Sequence, residues 1–453
     1  MNTEYDATIP RALVERYGNV APFRVTDSPF TAGQVDAGTY ARALTGASAD
    51  RDGALSVYVH LPFCPARCLY CGCNTSVTHT EERIDRYLEH LDREMSLVGD
   101  RLGGHRRLRQ LHCGGGTPNY LTDMQLVSLM ATVEKHFEIT EATEISIEAN
   151  PVQTSASQLD LLAGLGFRRI SFGVQDLDPD VQRAIGRHHS YDMIADVFAT
   201  ARDSGFATVA MDLMYGLPAQ TTPSFERTLE QVLRIAPDRV ACFGYAHNPA
   251  TRPHQRAIEE DRLPTTMETL GLFDAAVRRL TASGYQWIGL ESFARNDDQL
   301  AVAHAGRRLY RNWIGYSAHP CREVTLGFGA NAISDVNGTC VQNVADIDAW
   351  SGELDAGRLP IAGGVCLSEA DQRRREAMTH LMCNQELPRH ICAPGLHPEG
   401  SLWSRYAADG LVDCSSEKVS VTAQGRYFLR HLCMENAHLL GWESPQWQFP
   451  RMV

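Results

Sequence analysis

Four cysteines crowd into ten positions of this chain, and the first three, Cys64, Cys68 and Cys71, follow a C-x3-C-x2-C spacing, with Cys73 two residues further on. Thiolates spaced in this way on one short loop can wrap a single soft metal centre. Structural zinc is the bland alternative, but zinc knuckles pair two ligand elements, and no second C-x2-C or H-x3-H lies downstream. Three thiolates on a four-iron cluster leave one iron open for a small bidentate ligand, so the lack of a fourth ligand becomes functional. Cys73 need not bind iron. The chain has 13 cysteines, and those outside this run are scattered singly, as expected of small buried hydrophobes rather than a disulfide framework.

Other residues that could do chemistry fall just after short apolar runs. Gly114-Gly115-Gly116-Thr117-Pro118 is a stretch where backbone can approach a ligand without Cβ interference. His60 lies four residues before Cys64, Glu148 sits in Ser-Ile-Glu-Ala-Asn-Pro, and Gln175, Arg187 and Asp212 follow further on. Each of these, taken singly, is equally a capping, surface or strand-end residue.

The elements that must position them alternate in a β-α rhythm. Apolar runs at 55–60, 110–113, 144–148, 168–174, 207–213 and 239–244 predict strands. Amphipathic stretches at 81–98, 123–137, 155–165, 191–204 and 223–235 predict the helices between them. Six such units make an α/β fold, a partial (β/α)6 barrel, with chemistry at the C-terminal ends of its strands. The expected organisation is an N-terminal arm (1–52), the barrel (53–290), an extension (291–366) and a C-terminal, mainly α unit (367–453). In that last unit a helix at 368–383, a hairpin at 410–422 and a helix at 423–433 read as winged-helix-like.

A cysteine loop with an aromatic residue, Tyr70, before its third cysteine, set directly after a strand, resembles the radical S-adenosylmethionine (SAM) superfamily. The resemblance implies a [4Fe-4S] cluster on Cys64, Cys68 and Cys71, and SAM held by Tyr70, Gly115, Gly116, Thr117, Glu148, Gln175, Arg187 and Asp212. It narrows to the oxygen-independent coproporphyrinogen III oxidase family through Tyr58-Val-His60, Cys71-Gly-Cys73-Asn, Gly173-Val-Gln-Asp, Asp212-Leu-Met-Tyr-Gly-Leu-Pro, Tyr245-Ala-His247, Phe293-Ala-Arg and the terminal Gln448-Phe-Pro-Arg-Met-Val. Membership implies catalytic roles for Tyr58, His60 and Cys73, and an apolar contact from Ile333 in a second-SAM region. It also implies a porphyrinogen substrate, whose propionates are decarboxylated to vinyls, and an electron donor such as flavodoxin or ferredoxin. Related heme chaperones of this fold usually carry Phe where Cys73 stands, which favours the enzyme branch.

Three departures from the family pattern cluster where specificity is set. The arm reads Ala21-Pro-Phe-Arg24-Val-Thr-Asp-Ser-Pro29-Phe-Thr in place of the family's Gly-Pro-Arg-Tyr-Thr stretch, and Ile314 stands where the family has a glutamine beside a second SAM. Glu323 begins the segment where the family has Asp-Leu-Leu-Gly. Isoleucine cannot hydrogen-bond an amino acid moiety. Two rival readings therefore stay open: a methyltransferase or other tailoring enzyme on the same scaffold, and a heme-binding chaperone using His247 or His319.

Composition removes other classes. The 453 residues are 43% hydrophobic and 21% charged, which is globular, and 55 acids against 42 bases give a net charge of −13. That sign disfavours nucleic acid as a partner. No stretch approaches the ~18 apolar residues of a membrane span, and a cytoplasmic monomer acting on a small molecule is expected. Anaerobic reconstitution should load about four irons per chain, and Cys64→Ala, Cys68→Ala and Cys71→Ala should each abolish the brown absorbance. Stoichiometric zinc without iron in active protein refutes the cluster.

Overall fold

The computed structural model describes residues 9–17, 35–48, 54–318, 324–388, 391 and 401–433. The arm stretch at 21–31, His319, Glu323 and the terminal 448–453 motif lie outside these residues.

All six expected strands form: Leu55–Leu61, Leu108–Gly115, Glu144–Ala149, Arg169–Gln175, Thr208–Tyr215 and Arg239–Gly244. They pair in parallel and in chain order. Along the first strand, Leu55, Val57, Val59 and Leu61 are fully buried against the surrounding helices, whereas Ser56, Tyr58 and His60 alternate to the inner face. The helices between strands are Glu81–Leu102, Asp123–His136, Ala156–Gly164, Tyr191–Asp203 and Thr222–Ile235. Thr122 and Gln125 cap the second of these reciprocally, as do Thr221 and Ser224 the last.

The sheet continues past both ends of the sixfold unit. Ser292–Arg295 pairs antiparallel with the sixth strand and carries Tyr285–Gly289 outside it. At the opposite edge Val324–Phe328 runs parallel to the first strand, followed by antiparallel Ile333–Val336, Thr339–Asn343 and Ile361–Cys366. The result is one twelve-stranded sheet, and a hairpin of it straddles position 290.

One helix locks that edge to the site. Glu81–Leu102 buries Ile84, Tyr87, Leu88, Leu91, Met95, Val98 and Leu102, a stripe repeating every three or four residues. From it, the Tyr87 hydroxyl donates to the His60 carbonyl at 2.8 Å and accepts from the Ala330 N–H at 3.0 Å. Buried Glu94 accepts from the Gly329 N–H at 2.8 Å and the Asn343 amide at 2.6 Å. Gly329 has φ +98°, and a Cβ there would lie 2.7 Å from the His60 carbonyl oxygen.

Beyond the sheet, helix Glu369–Asn384, helix Ser401–Ala408 and the strands Glu386–Pro388, Val412–Cys414 and Lys418–Val421 build a small winged unit. The expected last helix begins as a 3-10 turn at Gly425–Phe428. Its core of Met378, Leu381, Trp403, Tyr406 and Phe428 also receives Leu13, Val14 and Tyr17 of the first helix and Leu290 of the barrel hairpin. Arg16 pairs with Asp409 at 2.7 Å across this junction.

Burial pushes Glu94 up to about 8, against the pull of its Gly329 and Asn343 donors. An acid whose folded pKa exceeds its unfolded value, about 4.3, binds protons more tightly when folded. Its contribution to stability therefore falls as pH rises through that window and levels off above it. Melting curves between about pH 5 and pH 8 should show wild type losing more Tm than Glu94→Gln. Equal slopes would show that Glu94 does not titrate there.

Candidate active site

The cysteine loop leaves the C-terminal end of the first strand and folds back, with Phe63 and Cys64 pairing parallel to Ser76 and Val77. Cys64 is buried, Cys68 and Cys71 are half-buried, and Cys73 is exposed. Thr117 Oγ1 donates to Cys64 Sγ at 3.3 Å, and Arg187 Nη1 to Cys68 Sγ at 3.6 Å. Burial pushes the Cys64 thiol up to about 11, with Cys71 and Cys68 close enough to add to it. A hydrogen bond from the Cys73 side chain pulls Cys71 down to about 6.

Cys71, lowered by its Cys73 donor, is the sulfur most disposed to bind a cation as a thiolate. Among the described residues no three His, Cys, Asp or Glu side chains form a site for a single metal ion.

A second segment grips this loop by its carbonyls. In the 3-10 helix Pro253–Ala257, buried Gln255 donates to Tyr70 O at 3.1 Å and Ala246 O at 3.2 Å, while its Oε1 accepts from the Asn248 N–H. His254 Nε2 meets Cys71 O at 2.8 Å, and Arg252 Nε donates to Gly72 O at 3.0 Å. Tyr70 packs against a cluster that includes Val181, Ile185, Leu217 and Tyr245.

Parallel register brings the inner-face residues together. Tyr58 sits opposite His112, His60 opposite Gly114, Glu148 opposite Ser171 and Asp212 opposite Gly173 and Ala241. Barrel interiors are ordinarily filled by branched side chains. Here glycine, alanine and serine stand beside two carboxylates. Glu148 accepts from the Gly115 N–H at 3.0 Å and lies 3.3 Å from His112 Nε2, whose Nδ1 meets Ser146 at 2.8 Å. Burial alone would raise Glu148, but the hydrogen bond and charge of His112 hold it below its ordinary value. Burial, with the Glu148 charge nearby, pushes Asp212 up to about 7, and Ser171 donates to it at 2.8 Å. Two carboxyls so separated offer one acceptor and one potential donor.

The glycine run passes the first strand too closely for side chains. A Cβ on Gly115, at φ +120°, would lie 2.6 Å from His60 Nδ1, and one on Gly116 would lie 2.7 Å from the Pro62 carbonyl carbon. His60 Nε2 meets the Asn74 carbonyl at 3.0 Å, which places the proton there and leaves Nδ1 to accept from the Tyr58 hydroxyl at 3.1 Å. Burial lowers the His60 pKa, in keeping with that neutral ring.

Tyr58, His60, Cys64, Cys68, Gly115, Gly116, Thr117, Glu148, Arg187 and Asp212 thus converge on one region. Gln175 ends the fourth strand at φ +71°, its amide lying over Gly173, whose carbonyl Arg187 also engages. Ile333 lies two strands out from the first strand, its backbone packed on Gly327 of the intervening strand, the register partner of Tyr58. Ile314 belongs to a turn in which Asn312 Oδ1 accepts from the Ile314 and Gly315 N–H groups, at 2.9 and 3.2 Å. In His247 both ring nitrogens are engaged, by Tyr245 at 2.8 Å and Glu260 at 3.2 Å, which gives the heme-ligand reading no support.

Sequence reasoning passed over His112, Arg252, His254, Gln255 and Trp313. His112 shares strand parity with Gly114, a usable signal; the clasp residues carry none. Trp313 meets Tyr58 edge-on at 4.8 Å.

A donor-ringed cysteine loop over a glycine-lined parallel barrel defines a radical SAM enzyme, and the Radical SAM superfamily model matches residues 58–232. The oxygen-independent coproporphyrinogen III oxidase of Salmonella typhimurium is 36% identical over 450 residues, 98% of each chain. That of Escherichia coli is 37% identical over 88% of this chain and 89% of its own. The solved coproporphyrinogen III oxidase of Escherichia coli, described as a radical SAM enzyme, superposes with a TM-score of 0.85 at 34% identity, covering 95% of this chain and 98% of that one. The chain belongs to the oxygen-independent coproporphyrinogen III oxidase family. No described helix is long and apolar enough to cross a membrane.

Gln255→Leu removes the side-chain hydrogen bonds to three partly buried backbone groups, the Tyr70 and Ala246 carbonyls and the Asn248 N–H. The expected result is normal iron at reconstitution but several-fold faster loss to a chelator. Wild-type loss rates would show that the clasp is dispensable.

Proposed function

We propose that the protein carries out the oxidative decarboxylation of coproporphyrinogen III to protoporphyrinogen IX, a step of heme biosynthesis. The observation that carries this reading is the joining of cysteine and glycine loops into one site, through the Thr117 hydroxyl on Cys64 and the Gly116 N–H on the Leu61 carbonyl at 2.8 Å. Cys64, Cys68 and Cys71 would hold the cluster. When bound, cluster and SAM supply a 5′-deoxyadenosyl radical that removes hydrogen from the β-carbon of a propionate, and a one-electron acceptor would take the electron released as carbon dioxide departs and the vinyl forms.

The chain's own groups orient and shield. Glu148, kept ionised by His112, would accept from the ribose, with Asp212 beside it, while Gly115 and Gly116 admit the amino acid end close to backbone. Tyr70, Thr117, Gln175 and Arg187 would complete the SAM contacts, and Ile333 an apolar wall. Neutral His60, oriented by Asn74 and Tyr58, could move a proton, and exposed Cys73 would face the substrate. A flavodoxin or ferredoxin would supply the electron, and a cytoplasmic monomer organised as arm, barrel, extension and winged unit suits this chemistry.

Anaerobic incubation with SAM, reductant, an electron acceptor and coproporphyrinogen III should yield 5′-deoxyadenosine, carbon dioxide and protoporphyrinogen IX. S-adenosylhomocysteine with a methylated product would overturn the proposal in favour of methyl transfer.

A further inference from the structure

Residues 311–316 concentrate unsatisfied hydrogen-bonding capacity. Arg311 Nε, Asn312 Nδ2, Trp313 Nε1 and the Tyr316 hydroxyl are all buried without a partner among the described residues. Buried polar atoms are nearly always paired; the Tyr316 hydroxyl lies against Gly289, which leaves Arg311, Asn312 and Trp313 as the adjacent donors that call for a ligand. Every one of the four can donate. Arg311 forms no ion pair among the described residues and stacks its guanidinium on Tyr316 at 5.2 Å. The Asn312 amide cannot be turned round, because its oxygen already accepts from the Ile314 and Gly315 N–H groups. Its NH2 is therefore fixed facing the other way. Trp313 is held edge-on to Tyr58, whose hydroxyl meets His60, so the turn lies on the side of the first strand that carries the candidate site.

We propose that this turn is a carboxylate-binding subsite, in which Arg311, Asn312 and Trp313 capture a propionate of the porphyrinogen that is not reacting. The inference rests on the function proposed above. A carboxylate supplies two acceptor oxygens with about four lone-pair sites, and pairing it with a guanidinium relieves the unpaired Arg311 charge. A second SAM would offer the same chemistry through its own carboxylate. The porphyrinogen is the better occupant, because it brings several carboxylates and Ile314 leaves a second amino acid moiety without its side-chain partner.

The test is a fluorescence titration of reconstituted wild type, Arg311→Gln and Trp313→Phe with coproporphyrin III and with its tetramethyl ester. Iron content and SAM stoichiometry by equilibrium dialysis are read on the same samples. Trp313→Phe keeps the ring and removes only one donor, so it guards against a folding defect in Arg311→Gln. The acid should bind about tenfold more weakly to Arg311→Gln and about threefold more weakly to Trp313→Phe, with ester binding weak and unchanged and SAM stoichiometry intact. Wild-type affinity for the acid in both variants overturns the subsite, as does loss of a SAM molecule with porphyrin binding intact. If wild type converts coproporphyrinogen III while the variants bind normally, the subsite alone fails. If wild type neither binds nor converts it, the proposed function fails and takes the subsite with it.

Discussion

The mouth of the barrel depends on how closely two backbones pass. The first and second strands bring His60 opposite Gly114 and Leu61 opposite Gly115, and from there the chains stay in contact through the Gly116 and Thr117 N–H groups on the Leu61 and Phe63 carbonyls. Any side chain on Gly115 or Gly116 would strike His60 or Pro62. Because this approach is close, the Thr117 hydroxyl reaches Cys64 and the Gly115 N–H reaches Glu148. Cysteine chemistry and carboxylate chemistry are thereby held in one place by main-chain geometry.

Around that contact, polarity is graded. The outer faces of the strands are aliphatic and dry, the inner faces small or ionisable, and the carboxyls within are driven apart in acidity by what neighbours them. Glu148 has His112 and stays charged; Asp212 has Ser171 and the Glu148 charge and is pushed towards neutrality. Tyr87 and Glu94 carry the same discipline to the sheet edge, where one helix fixes the His60 carbonyl and the turn at Gly329 together.

The barrel was legible because its strands are continuous apolar runs and its helices amphipathic stripes, each long enough to show a period. The cysteine spacing and glycine run were legible as motifs. The outer strands were not: Tyr285–Gly289, Ser292–Arg295 and Ile333–Val336 are four or five residues long, too short for alternation to show. Their place is set by pairing with distant segments. The clasp of Arg252, His254 and Gln255 was invisible for a related reason: these side chains recognise main-chain carbonyls, which leave no complementary letter at 70–72. Cys73 illustrates the opposite case, since its spacing marked it while its exposure and its bond to Cys71 emerge only from the fold.

The clasp has a consequence for biogenesis. Arg252, His254 and Gln255 close over the cysteine loop from 180 to 185 residues further along the chain. A polypeptide made from its N-terminus exposes the thiols well before the segment that grips them exists. The loop must therefore wait, reduced and unsupported, while most of the barrel is translated. Retention of iron and sulfide is thereby tied to a late moment of synthesis, after the sixth strand has docked, and chains truncated before that point would carry the thiols without the means to retain what they capture.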